Sequence, residues 1–114
     1  MHWTDISDRP AGDLVVVEVR GFMTLSDYES SLFKYIARVV EEGHARIVLN
    51  LRHVSYIDSV GIGEIVRCYM HVTSRGGALR LCEVGDRVRE VLHATQLDTV
   101  LHLADTEEDA LRSL

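Results

Sequence analysis

Ile47-Val48-Leu49-Asn50-Leu51-Arg52-His53-Val54-Ser55-Tyr56-Ile57-Asp58-Ser59-Val60-Gly61-Ile62-Gly63 is the stretch on which the reading of this chain turns. The apolar run Ile47 to Leu51 has the length and composition of a buried strand. A short polar link follows. Asp58-Ser59 then stands at the mouth of a second apolar segment, in which Ile62, Ile65, Val66 and Tyr69 recur at helical spacing. A hydroxyl and a carboxylate side by side at a helix N-terminus suit the addition or holding of a phosphate. That end presents unpaired N–H groups and the positive pole of the helix dipole. Gly61 and Gly63 are expected to leave room for the approach of another backbone or protein. The same Asp and Ser also suit an N-cap and a first helical turn for purely local reasons, so the residues alone leave both roles open.

Outward from this stretch, strand-like and helix-like segments alternate. Thr4 to Ser7 and Leu14 to Val19 read as a hairpin across the turn-forming cluster Asp8-Arg9-Pro10-Ala11-Gly12-Asp13. Ser26-Asp27-Tyr28-Glu29 matches a capping box. Tyr28, Leu32, Tyr35, Ile36 and Val39 then mark one face of a helix that ends near Gly43. Ala45 to Leu51 is a strand, and the helix that follows it stops before Gly76-Gly77. Ala78 to Val84 is a strand, Gly85 to Thr95 a helix with Val88, Val91 and Leu92 inward, and Thr99 to Leu103 a short last strand. Thr106 opens a terminal helix whose first turn carries Glu107, Glu108 and Asp109, favourable charges at that end. The order ββαβαβαβα predicts an α/β domain with a mostly parallel sheet of about five strands, an N-terminal hairpin and four helices. Ile47-Val48-Leu49, apolar on both faces, belongs at the centre of that sheet.

At 114 residues the chain reads as one domain, 1–114. The net charge of −6, with 18 acidic against 12 basic residues, argues against a nucleic-acid partner, whose footprint is a basic excess. No apolar run approaches a membrane span, and the N-terminus lacks the basic and apolar regions of a secretory signal, so the expected location is the cytoplasm. Cys68 and Cys82 read as buried, reduced hydrophobes. The six histidines show no ligand spacing, so no metal or other cofactor is expected.

Enzymatic readings of Asp58-Ser59 meet specific obstacles. A nucleophile elbow needs glycine two residues before the serine, where Ile57 stands. A phospho-aspartate receiver resembles the chain in size. Its pattern needs acidic metal ligands after the first strand and a lysine after the last, and neither is present. Phe22-Met23-Thr24-Leu25 is apolar where a solvated loop is expected. It reads equally as core closure and as a surface for a partner.

These residues, in this order, resemble the STAS domain, and within it the bacterial anti-sigma factor antagonists. The resemblance runs from Asp13 to Leu111 and is sharpest at Ile47 to Gly63. It continues through Gly76-Gly77-Ala78-Leu79-Arg80-Leu81, Val88-Arg89-Glu90-Val91-Leu92 and Gln96-Leu97. It implies that Ser59 is a phosphoacceptor, with Asp58, Val60, Gly61, Ile62 and Gly63 forming the phosphorylation loop. It also implies that Phe22, Met23 and Thr24 lie near that loop on the partner-facing end of the sheet. The expected partners are an anti-sigma factor with serine kinase activity and a serine phosphatase that resets the switch. The unphosphorylated form would bind the anti-sigma factor and free the sigma factor, and the domain itself would catalyse nothing. The alternative is a STAS scaffold that binds a partner or small ligand without phosphorylation. Thr24 stands where the family commonly has aspartate, Val60 where many relatives have Ser or Thr, and Asn50 in place of a frequent aspartate, a change expected to be benign.

Overall fold

A computed structural model describes residues 4–24 and 32–114. Five strands form one sheet in the order β1 (Thr4–Ala11), β2 (Leu14–Met23), β3 (Arg46–Ile57), β4 (Ala78–Cys82), β5 (His102–Ala104). β1 and β2 are an antiparallel hairpin, and every later neighbour is parallel. Helices α1 (Leu32–Glu41), α2 (Ser59–Ser74), α3 (Asp86–Ala94) and α4 (Glu107–Arg112) alternate with the strands. The expected element order and the central place of Ile47-Val48-Leu49 are both found. The capping box at Ser26 to Glu29, with Tyr28, lies outside the described residues.

The two sheet faces are covered unequally. Alternate strand residues Val15, Val17, Val19, Ile47, Leu49, Leu51, Leu79 and Leu81 meet the inner stripes of α1, α2 and α3 in the main core. On the other face Val16, Val48 and Cys82 pack against Ala110 of α4, with Leu111 and Leu114 half-buried beside them. The two cysteines are both buried and lie on opposite faces: Cys68 is in the main core and Cys82 lies beneath α4.

Several segments differ from the sequence reading, for definite reasons. Pro10 is inside β1, opposite Val15, and the turn is confined to Gly12 and Asp13. An edge strand can hold a proline because the missing N–H faces no ladder partner. β2 continues four residues past Val19, and β3 continues through the polar link to Ile57. The two run side by side, with register shifts between Glu18 and Arg20 and between Gly21 and Phe22. Bulges of this kind hide a strand from period-two pattern reading. The buried face of α2 is Gly61, Ile65, Cys68 and Val72, while Ile62 and Tyr69 only flank the core. The last strand begins at His102, after a 3₁₀ turn at Leu97–Thr99.

Among the described residues Asn50 is the one buried polar residue, 5% exposed. Its amide donates to Glu107 Oε1 at 3.0 Å, and its oxygen accepts from the Arg52 N–H at 2.9 Å. The expectation that Asn50 merely replaces an aspartate without consequence is therefore corrected: an aspartate here would place its carboxylate against that of Glu107.

Candidate functional site

The long β3 delivers Asp58 to the start of α2. Asp58 is extended (φ −117°, ψ −171°), and its Oδ1 accepts from the N–H groups of Val60 at 2.9 Å and Gly61 at 3.1 Å. This is N-cap geometry. Asp58 thus takes up two of the helix-terminal donors that the sequence reading left open for a phosphate. The Asp58 N–H donates to Met23 O at 3.1 Å, tying the start of α2 to the end of β2. Ser59, the first residue of the helix, is exposed, and Val60 and Ile62 are half-buried.

The two glycines have different roles. A Cβ at Gly61 would lie 2.2 Å from Met23 O and 2.8 Å from both Ile57 Cγ1 and Met23 Cβ. The space that Gly61 leaves is therefore filled by another backbone, one of the two expected occupants: it is this chain's own β2 and not a partner. A Cβ at Gly63 would have nothing within 4 Å, so that position is open on the surface.

Phe22, Met23 and Thr24 also separate. Met23 is 6% exposed and packs in the main core, opposite Ile57. Phe22 points to the other sheet face, half-buried and directly opposite Tyr56, which is 42% exposed. Thr24, half-buried, follows immediately after the carbonyl that binds Asp58. The sequence reading, which ended the strand at Val19, treated Phe22 and Met23 as one segment. Strand alternation sends them to opposite sides.

Four contributors were missed in the sequence: Tyr56, Arg87, Glu64 and Arg67. Tyr56 is the exposed aromatic nearest in sequence to Ser59, and the Arg87 guanidinium lies over its ring at 5.6 Å. One turn into α2, Glu64 Oε2 accepts from the Phe33 N–H at 2.9 Å, and Arg67 lies 4.1 Å over the Phe33 ring. α2 therefore caps and covers the start of α1. Only an aromatic within the polar link hinted at Tyr56, and nothing in the local pattern pairs Glu64 with Phe33.

Among the described residues no three His, Cys, Asp or Glu side chains gather as a metal site, and no helix is long and apolar enough to cross a membrane. Two hollows, of about 170 and 470 Å³, lie at the C-terminal end of α2 and along β5, and neither is lined by Asp58 or Ser59. What the site offers is an exposed hydroxyl on a fixed helix end, flanked by an N-capping carboxylate and an open glycine.

A model of the STAS domain matches residues 7–110. Over 75 residues the chain is 36% identical to a putative anti-sigma factor antagonist of Thermotoga neapolitana, a TM1081 homologue; the match covers 66% of each chain. It is 32% identical over 68 residues to the anti-sigma F factor antagonist of Paenibacillus polymyxa, covering 60% of this chain and 58% of the relative. In fold it is similar to the crystal structure of an anti-sigma factor antagonist from Mycobacterium paratuberculosis. The TM-score is 0.86 at 24% identity, over 96% of this chain and 92% of that one.

Proposed function

The chain belongs to the STAS domain family, and from that premise we propose that it is an anti-sigma factor antagonist switched by phosphorylation of Ser59. In the unphosphorylated state it binds an anti-sigma factor that is also a serine kinase, and so releases a sigma factor. Phosphate on Ser59 ends that binding, and a serine phosphatase restores it. The domain acts by binding and catalyses no step.

One observation carries this reading: Ser59 is exposed on a helix end whose geometry is already fixed without it. Asp58 caps the helix and Gly61 locks it against Met23. A phosphate adds about −1.5 to −2 charge, and here it would stand next to the Asp58 carboxylate. The helix dipole offsets part of that repulsion. Because Asp58 keeps the Val60 and Gly61 donors, the added charge stays at the surface and leaves the fold intact. A docked partner would have to desolvate it. A like-charge or desolvation penalty of about 2.7 kcal/mol corresponds to a 100-fold loss of affinity. Gly63 gives the partner room beside the hydroxyl.

The test is incubation with the cognate anti-sigma factor and ATP, followed by mass spectrometry. One phosphate on Ser59 is expected. Ser59→Ala should keep its melting temperature and bind whether or not ATP is present. Ser59→Asp should weaken binding only partly, having one charge where the phosphate has nearly two. Phosphate recovered on Ser55 or Thr24 in place of Ser59 overturns the assignment.

A further inference from the structure

The sheet face that carries α4 is held differently from the rest of the fold. α4 has six residues, too few to be helical without docking. It fully buries only Ala110, with Leu111 and Leu114 partly covered. The rest of its attachment is polar and centred on Glu107. Arg9 of β1 donates to both Glu107 oxygens at 2.6 and 2.5 Å, and Asn50 of β3 donates to one at 3.0 Å. The Glu107 N–H donates to Glu83 Oε2 at 2.9 Å, while Arg52 donates to Glu83 Oε1 at 3.1 Å. Glu83, just after β4, adopts a left-handed backbone (φ 56°), unusual for a residue with a side chain. At the far end Arg80 donates to the Ser113 hydroxyl at 3.2 Å.

This clasp stands at the surface: the Arg9 side chain is 48% exposed and that of Glu107 22%. Salt and water therefore compete with it. Neither the pairing of the strands nor the main core beneath α1, α2 and α3 includes a residue of α4. Releasing α4 uncovers a small apolar cluster, whereas unfolding the main face uncovers nearly the whole core. The two openings must differ widely in free energy.

We propose that α4 is a detachable strap, which swings off the second sheet face while the α1–α3 side stays folded, with the Glu107 clasp setting how often it does so. The two cysteines report the two openings separately. Cys82 is sealed under Ala110, and Cys68 lies in the main core. Burial pushes both thiols up to about 12, so the closed form offers no reactive thiolate at neutral pH.

The experiment is alkylation of the full-length native protein with iodoacetamide, read at each cysteine by peptide mass spectrometry. Each rate is referred to that of the same cysteine in the urea-unfolded chain. When reclosing outpaces labelling, the rate tracks the open population. Cys82 should label at least tenfold faster than Cys68. Moderate sodium chloride should raise the Cys82 rate. Glu107→Gln should raise it about tenfold more with Cys68 unchanged. If that variant does not fold, Arg9→Ala removes the same clasp from the sheet edge and should act alike. Equal labelling of the two cysteines, equal acceleration of both, or a Cys82 rate indifferent to the clasp variants overturns the strap.

Discussion

Replacing Gly61 by alanine tests the joint on which the site is built. The added Cβ would lie 2.2 Å from Met23 O, where ordinary contacts begin at 3.4 Å. The start of α2 must therefore retreat from β2 by about 1 Å, and the obstacle is backbone, which cannot rotate aside as a side chain would. The same carbonyl accepts the Asp58 N–H at 3.1 Å, so the retreat also strains a hydrogen bond worth roughly 0.5–1.5 kcal/mol. Overpacking of this kind costs about 1–3 kcal/mol. Alanine returns up to about 1 kcal/mol of helix propensity. The net expectation is a loss of about 2 kcal/mol, or a melting temperature lower by roughly 8 °C for a chain of this size. Gly63→Ala is the control. Its Cβ meets nothing within 4 Å, so it should be neutral or stabilising by up to about 1 kcal/mol. Urea and thermal denaturation of the two variants settle the matter. Equal effects at both positions, or a stabilised Gly61→Ala, would refute the account of the joint.

Three further outcomes follow from the same contacts. Asn50→Asp should destabilise by about 1–3 kcal/mol near neutral pH, because it exchanges a donor to Glu107 for a second carboxylate; the loss should shrink as acid neutralises the pair, measurable by urea midpoints against pH. Met23→Ser should cost roughly 2–4 kcal/mol as a core truncation, whereas Phe22→Ser, on the half-open face, should cost clearly less and bear more on partner binding, measured by calorimetry; a larger stability loss at Phe22 would reverse their assignment. For the acid limb, burial pushes the Glu107 carboxyl up, but the hydrogen bonds from Arg9 and Asn50 outweigh it and hold the group below its ordinary 4.5. A depressed folded value stabilises above the unfolded value and is lost as pH falls through the folded one. Wild-type stability should therefore decline below about pH 4.5, and the decline should be shallower in Glu107→Gln.

The sequence by itself determined the element order, the hairpin and the central strand, because each rests on local physics: apolar periodicity, and glycines or caps at the ends. It also singled out Asp58-Ser59 as the start of a helix, since an N-cap is a local preference. What lay beyond it came from contacts between distant residues. Strand bulges hid the extension of β2 and β3, and so the parting of Met23 into the core from Phe22 on the far face. Gly61 is required by the carbonyl of Met23, and Glu64 by the N–H of Phe33, neither of which its neighbours in sequence can indicate. Asn50 reads as an ordinary polar substitution until Glu107 is brought against it. Helix and strand are chosen over a few residues, but close approach and charge pairing are set only when the chain closes on itself, and those two decided the shape of the site.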